Sequence, residues 1–171
     1  MSRFRAFAIV ILAATLPLAT TSSASALPRT DNLDSLGTVE SNQSDGENLS
    51  AEAHAAERGD SSFVSVTWSI ENNGASRVAF DWPMGATYMY SRVTSHSGVT
   101  ALSPVEGTRF HPIMDSEGEC LCSGSDSPDF KVHIEPGEKV AYWSMFSIPD
   151  TIDTIDLEIP GFDPIEDITI S

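Results

Sequence analysis

The stretch Val64-Ser65-Val66-Thr67-Trp68-Ser69-Ile70-Glu71-Asn72-Asn73-Gly74 decides the fold class. Val64, Val66, Trp68 and Ile70 alternate with Ser65, Thr67, Ser69 and Glu71. A period of two places one set on a buried face and the other toward water, which is the pattern of a β-strand with one covered face. Asn73-Gly74 closes it with a strong turn signal. Downstream, Val78, Phe80 and Trp82 repeat the alternation until Pro83 interrupts it. Short apolar runs follow at 87–94, 99–103, 109–113 and 130–134, and Pro136-Gly137 supplies another turn. Val140, Tyr142, Ser144 and Phe146 then share one face of a strand, with Ala141, Trp143 and Met145 on the other. The runs at 152–159 and 167–170, separated by Pro160-Gly161, complete the set. About eight or nine short strands with no helical period predict an all-β antiparallel sandwich over residues 61–171.

Upstream the texture differs. Residues 27–60 hold no aromatic side chain and carry 8 acidic against 2 basic groups. So little apolar surface does not offset the entropy of ordering, and the stretch reads as a disordered acidic linker. Ser50 to Arg58 has the composition of two helical turns, too short to stand alone. Asn42-Gln43-Ser44 and Asn48-Leu49-Ser50 match the glycosylation sequon, a weak signal. Residues 1–26 read as a secretory signal peptide: Arg3 and Arg5, an apolar run from Ala6 to Ala19, and Ala24-Ser25-Ala26 as the small-x-small cleavage site. The apolar run is too short for a hydrocarbon core of ~30 Å. The expected product is a secreted chain cut after Ala26, with no membrane span.

The chain of 171 residues has 25 acidic and 9 basic groups, a formal charge of −16, and 40% hydrophobic residues. This field repels nucleic acid, and no basic stripe overrides it. High negative charge favours a soluble monomer. The partner expected is a protein or a component of the cell envelope.

Cys120 and Cys122 are the most unusual pair. Outside the cytoplasm such thiols oxidise. Residues i and i+2 of a regular strand stand about 6.6–6.8 Å apart at Cα, the upper limit for a bridge. A disulfide here therefore requires a bent segment, which Gly118 and Gly124 flank. Closing so short a loop gains only about 1.6 kcal/mol by chain entropy, against about 3 kcal/mol for fifteen residues. A clip shaping a surface loop, a redox-active dithiol and a Cu(I) site are the competing readings, the last with His111, Met114 or His96 as further ligands. His54, His96 and His133 taken singly read as surface or edge residues.

Asp115, Glu117, Glu119, Asp126 and Asp129 crowd one loop region, and Asp150, Asp153, Asp156, Glu158, Asp163, Glu166 and Asp167 the C-terminal third. Calcium takes six to eight hard oxygens, yet neither run follows a calcium-loop pattern. Asp156 and Glu158 read as the wet face of a strand whose other face is Ile155, Leu157 and Ile159. No nucleophile elbow and no phosphate loop appears, so no catalytic residue and no cofactor is expected.

Val66 to Gly74 resembles the first strand and turn of secreted actinobacterial immunoglobulin-like domains, which occur alone or beside OmpA-like domains. Cys120-Leu121-Cys122-Ser123, Ile134-Glu135-Pro136-Gly137-Glu138 and Ile159-Pro160-Gly161-Phe162-Asp163-Pro164-Ile165 extend the likeness across 61–171. The resemblance implies an immunoglobulin-like β-sandwich acting outside the cytoplasm. The expected function is a non-enzymatic binding or accessory module, with Tyr88, Tyr90, Trp82 and Trp143 as candidate contact residues. A copper or thiol-redox protein built on Cys120 and Cys122, and a calcium-stabilised adhesion domain, are the alternatives.

Overall fold

A computed structural model describes residues 33–44, 48–85 and 89–171. The expected signal peptide and the candidate Tyr88 lie outside the described residues. Ten strands are present among the described residues: β1 (Gly37–Glu40), β2 (Leu49–Arg58), β3 (Phe63–Asn72), β4 (Val78–Ala79), β5 (Thr100–Ser103), β6 (Thr108–Phe110), β7 (His133–Ile134), β8 (Lys139–Ser147), β9 (Thr154–Glu158) and β10 (Ile165–Thr169). They form two four-stranded sheets, ordered β1-β2-β3-β8 and β10-β9-β5-β6, and a two-stranded ribbon β4-β7. Every pairing is antiparallel. The protein is all-β, with antiparallel sheets.

β3 carries the alternation into the core. Val64, Val66, Trp68 and Ile70 are completely buried. On the adjoining strand Val140, Tyr142 and Phe146 are buried as well. From the second sheet Ala101, Ile155, Leu157, Ile165 and Ile168 join the same cluster. Asn72 ends β3 from inside the protein: its side-chain amide donates to Ser76 O (2.8 Å) and Ile134 O (2.9 Å), while its Oδ1 accepts the Gly74 N–H (2.9 Å). A fully buried amide thereby builds the turn, with no polar atom left over.

The linker expected over 27–60 is corrected within its described part. Residues 37–40 and 49–58 are strands, and β2 lies inside the first sheet, paired along its length with β3. Helical turns at 50–58 do not form. The cause is complementary size: Ala53 faces Trp68 across the ladder and Ala51 faces Ile70, so small side chains on one strand accommodate large ones on the next. Leu49, Ala51, Ala53 and Ala56 are buried. A register shift between Ala53 and Ala55 leaves His54 as an extra, bulged residue. Its Nδ1–H donates to Asp34 O (3.0 Å) and its Nε2 accepts from the buried Ser69 hydroxyl (2.8 Å). His54 is therefore part of the interior and not of a tail.

Four further expectations are revised. Residues 89–94 form no strand, and the run from Val78 contributes only the two residues of β4. His96, expected in a surface turn, is completely buried. Asp156, expected on a wet face, is buried because β10 bulges opposite it between Ile165 and Ile168. The Asp156 Oδ1 accepts the Asp167 N–H (3.0 Å), and Asp167 takes the left-handed conformation that the bulge requires (φ 58°).

Candidate functional site

β8 carries Trp143 on its outer face, half-buried, and one edge of β8 is paired with β3. Its other edge is covered by irregular chain. Ser123 N–H donates to Trp143 O (2.9 Å), and Trp143 N–H donates to the Ser123 hydroxyl (2.9 Å). Further along, Met145 N–H donates to Leu121 O (3.0 Å) and Ile113 N–H donates to Met145 O (2.8 Å). Between Ile113 and Leu121 the chain turns back on itself. Asp115 Oδ1 accepts the N–H groups of Glu117 and Glu119 (both 2.8 Å), and Gly118 supplies the left-handed residue (φ 84°).

A second loop, residues 91–97, runs against this one. Ser91 N–H donates to Gly118 O (2.8 Å), Ser125 N–H to Thr94 O (3.0 Å) and His96 N–H to Ser123 O (2.8 Å). Close approach needs Gly124, where a Cβ would lie 2.9 Å from Ser95 Cβ. Arg92 spans the two loops, pairing with Glu119 (3.1 Å) and Asp126. Between them lies a cleft of about 400 Å³, lined by Arg92, Asp115, Glu117, Glu119, Asp126, the two cysteines and Trp143, among others. Four carboxylates face one guanidinium, so the cleft is anionic. Glu119 and Asp126 are matched by Arg92 and Asp115 is occupied with its turn, which leaves Glu117 as the most available charge.

Cys120 and Cys122 are bonded to each other in the cleft wall, with Cα atoms 5.3 Å apart. That is shorter than the spacing of an extended strand, and the segment is bent as the bridge demands. Cys122 is 4% exposed and Cys120 half-buried. The other sulfur and imidazole candidates are dispersed. Met114 pairs with Cys120 across the hairpin, its side chain half exposed. His111 is exposed. His96 packs among Trp68, Phe80, Phe130 and Tyr142 at ring-centre distances of 4.7–5.8 Å. Burial pushes its imidazole down to about 4, the hydrogen bond from Nε2–H to Phe80 O (3.3 Å) acting the other way. No group of three or more His, Cys, Asp or Glu side chains converges to hold a metal among the described residues.

Of the aromatic candidates among the described residues, Trp143 alone lines the cleft. Tyr90 is buried, its hydroxyl donating to Pro112 O (2.5 Å), and burial pushes its phenol up to about 12. Trp82 donates from Nε1 to Pro160 O (2.7 Å) and packs edge-on against Phe80. Both serve packing. In the C-terminal third three carboxylates are engaged separately: Asp150 by Arg58 and Ser62, Asp163 by Asn42, Glu158 by Arg109 and Thr100. The Arg109 hydrogen bond is the main cause holding the Glu158 carboxyl below the ordinary carboxylate range. Arg92 was not among the candidates. Its signal in the sequence was its isolation, as the single lysine or arginine side chain between Arg77 and Arg109.

No family model matches the chain, and no curated protein or solved structure matches it. No helix among the described residues is long and apolar enough to cross a membrane.

Proposed function

We propose that this chain is a secreted, non-enzymatic immunoglobulin-like β-sandwich that binds a component of the cell envelope or an extracellular protein. In this reading residues 1–26 direct export and are cut after Ala26. The two four-stranded sheets sharing one core support the sandwich architecture. The observation that carries the binding role is the cleft beside Trp143. It offers an indole wall on β8, with hydroxyls from Thr94, Ser125 and Ser127 and an anionic rim on the loops beside that strand. An amphipathic indole held in a concave wall is a strong contact element, since it contributes area at little entropic cost.

The test is co-sedimentation of the exported protein with isolated cell-wall material and with whole envelopes, wild type against Trp143→Ala and Trp82→Phe. The expected result is retention of wild type and Trp82→Phe and a loss of about tenfold in affinity for Trp143→Ala. Equal retention of all three, or none of wild type, overturns the assignment. The amino-terminal residue of the exported protein is expected to be Leu27.

A further inference from the structure

Leu121 is the meeting point of three segments. Its N–H donates to Ile113 O (2.8 Å), its carbonyl accepts from Met145 N–H (3.0 Å), and Ile113 N–H closes the triangle on Met145 O (2.8 Å). The Cys120–Cys122 bridge spans this one residue. It joins no distant parts of the chain. What it fixes is the bend that presents the Leu121 backbone to the edge of β8, with Ser123 bonded to Trp143 just beyond. The same bridge stands in the wall of the cleft, where thiols have access.

We infer that the Cys120–Cys122 bridge is a thiol-exchange site whose reduction releases the cover over the β8 edge, and that it takes cationic and neutral thiols in preference to anionic ones. Cys120, the more exposed residue of the two, is the point of attack. An incoming thiolate forms a bond to Cys120 Sγ, the S–S bond breaks, and the electron pair leaves on Cys122 Sγ, which takes up a proton. A second thiolate then attacks the sulfur of the first reagent in this mixed disulfide. It forms the reagent disulfide and expels Cys120 Sγ, which is protonated in turn. The protein gains two electrons and two protons, and two thiols lose them. With the bridge gone, residues 120–122 are free to leave the bent geometry, and the bonds of Leu121 to Ile113 and Met145 lose their brace. Selectivity follows from charge. A thiolate entering the cleft meets Asp115, Glu117, Glu119 and Asp126 against the single Arg92, so an added anionic group is repelled and an added ammonium attracted. This goes beyond the binding assignment, and its test involves no ligand of the cleft.

The rate of bridge opening is measured by alkylation and intact mass with cysteamine, 2-mercaptoethanol and 2-mercaptoethanesulfonate at matched thiolate concentrations. The expected order is cysteamine fastest and the sulfonate slowest, separated by about tenfold or more at low salt and converging at high salt. Glu117→Gln narrows the separation. Hydrogen exchange is then followed in the reduced protein and in the double variant Cys120→Ser/Cys122→Ser. Amides of Leu121, Ser123 and Met145 are expected to exchange about tenfold faster, with Val66 and Trp68 unchanged. A bridge inert to all three thiols, or opened at one rate by all, overturns the exchange site. Unchanged protection at Leu121 and Met145, or loss of protection throughout β3, overturns the release of the edge.

Discussion

Acid should destabilise this protein well before its carboxylates are protonated, and His96 should be the cause. The imidazole is completely buried, its Nε2–H is committed to Phe80 O, and its Nδ1 has no partner. A second proton would place a charge on Nδ1 inside a cage of Trp68, Phe80, Phe130 and Tyr142. The folded pKa is therefore lowered, to about 4 against an ordinary 6.5. The unfolded chain binds the proton first, so stability is fully present above pH ~6.5 and falls as the pH drops toward 4. At about 1.4 kcal/mol per pH unit the loss comes to about 3 kcal/mol. That is a large share of the roughly 5–15 kcal/mol typical of a domain. The assay is urea unfolding at pH 7, 6, 5 and 4.5, followed by tryptophan emission, to which the buried Trp68 contributes. His96→Phe keeps an aromatic ring and removes the titration. It should cost about 1 kcal/mol at pH 7, where Phe80 O loses its donor, yet show a nearly flat profile between pH 6.5 and 4.5. Parallel profiles for wild type and His96→Phe would refute the reasoning. The carboxyls of Glu52, Glu138 and Glu158, held below their ordinary range, act in a separate window. Their stabilisation is present above pH ~4.5 and lost below it.

Other expectations concern the backbone and the ordering of the chain. A chain beginning at Ser61 lacks β1 and β2, and with them Leu49, Ala51, Ala53 and Ala56. It should show no cooperative thermal transition by circular dichroism, whereas a chain beginning at Leu33 should unfold cooperatively. Asp156→Ala strands the Asp167 N–H in the β10 bulge and should cost about 1–3 kcal/mol by chemical denaturation. Asp156→Asn keeps an acceptor and should cost less than about 1 kcal/mol. Gly161→Ala combines a left-handed φ of 89° with a Cβ 2.7 Å from Trp82 Nε1. A loss of about 1–3 kcal/mol and a shifted tryptophan emission are expected.

Where alternation was strong the sequence was easily read. Val64, Val66, Trp68 and Ile70, and Val140, Tyr142 and Phe146, face the core as their period demands, while Ser69 on the opposite face of β3 is covered by His54. β2 was illegible for a physical reason. Its Ser-Ala-Glu-Ala-His-Ala-Ala-Glu-Arg run contains helix formers and no aromatic side chain, and only the bulk of Trp68 and Ile70 across the ladder makes alanine the fitting choice. A propensity is local, and the fit is not. The bulges at His54 and at Glu166-Asp167 hid two buried polar groups, since each inserts a residue that breaks the period. His96 could not be placed because its cage is assembled from Phe80, Phe130 and Tyr142, which lie far apart along the chain. In the cleft, the cysteine pair and its bent geometry were visible from spacing. The partnership of Trp143 with the acidic hairpin was not, because it depends on which irregular segment covers the edge of β8.

The outer edge of β2 is completed by two stretches remote in sequence. Leu36 N–H donates to Ala53 O (2.8 Å), and three residues further along the same edge Ser171 N–H donates to Ala56 O (2.9 Å), with Arg58 N–H returning to Ser171 O (2.8 Å). Residues 36 and 171 thus lie side by side, roughly 10 Å apart by strand geometry. A peptide long enough to retain Asp34 and its bond to His54 would join the two stretches. The tight turn between β5 and β6, where Val105 is almost wholly exposed and Gly107 has open space around it, offers a place to cut. The order of strands along the polypeptide is then open to rewiring, and a circularly permuted protein starting near Gly107 should reach the same sheets by a different route.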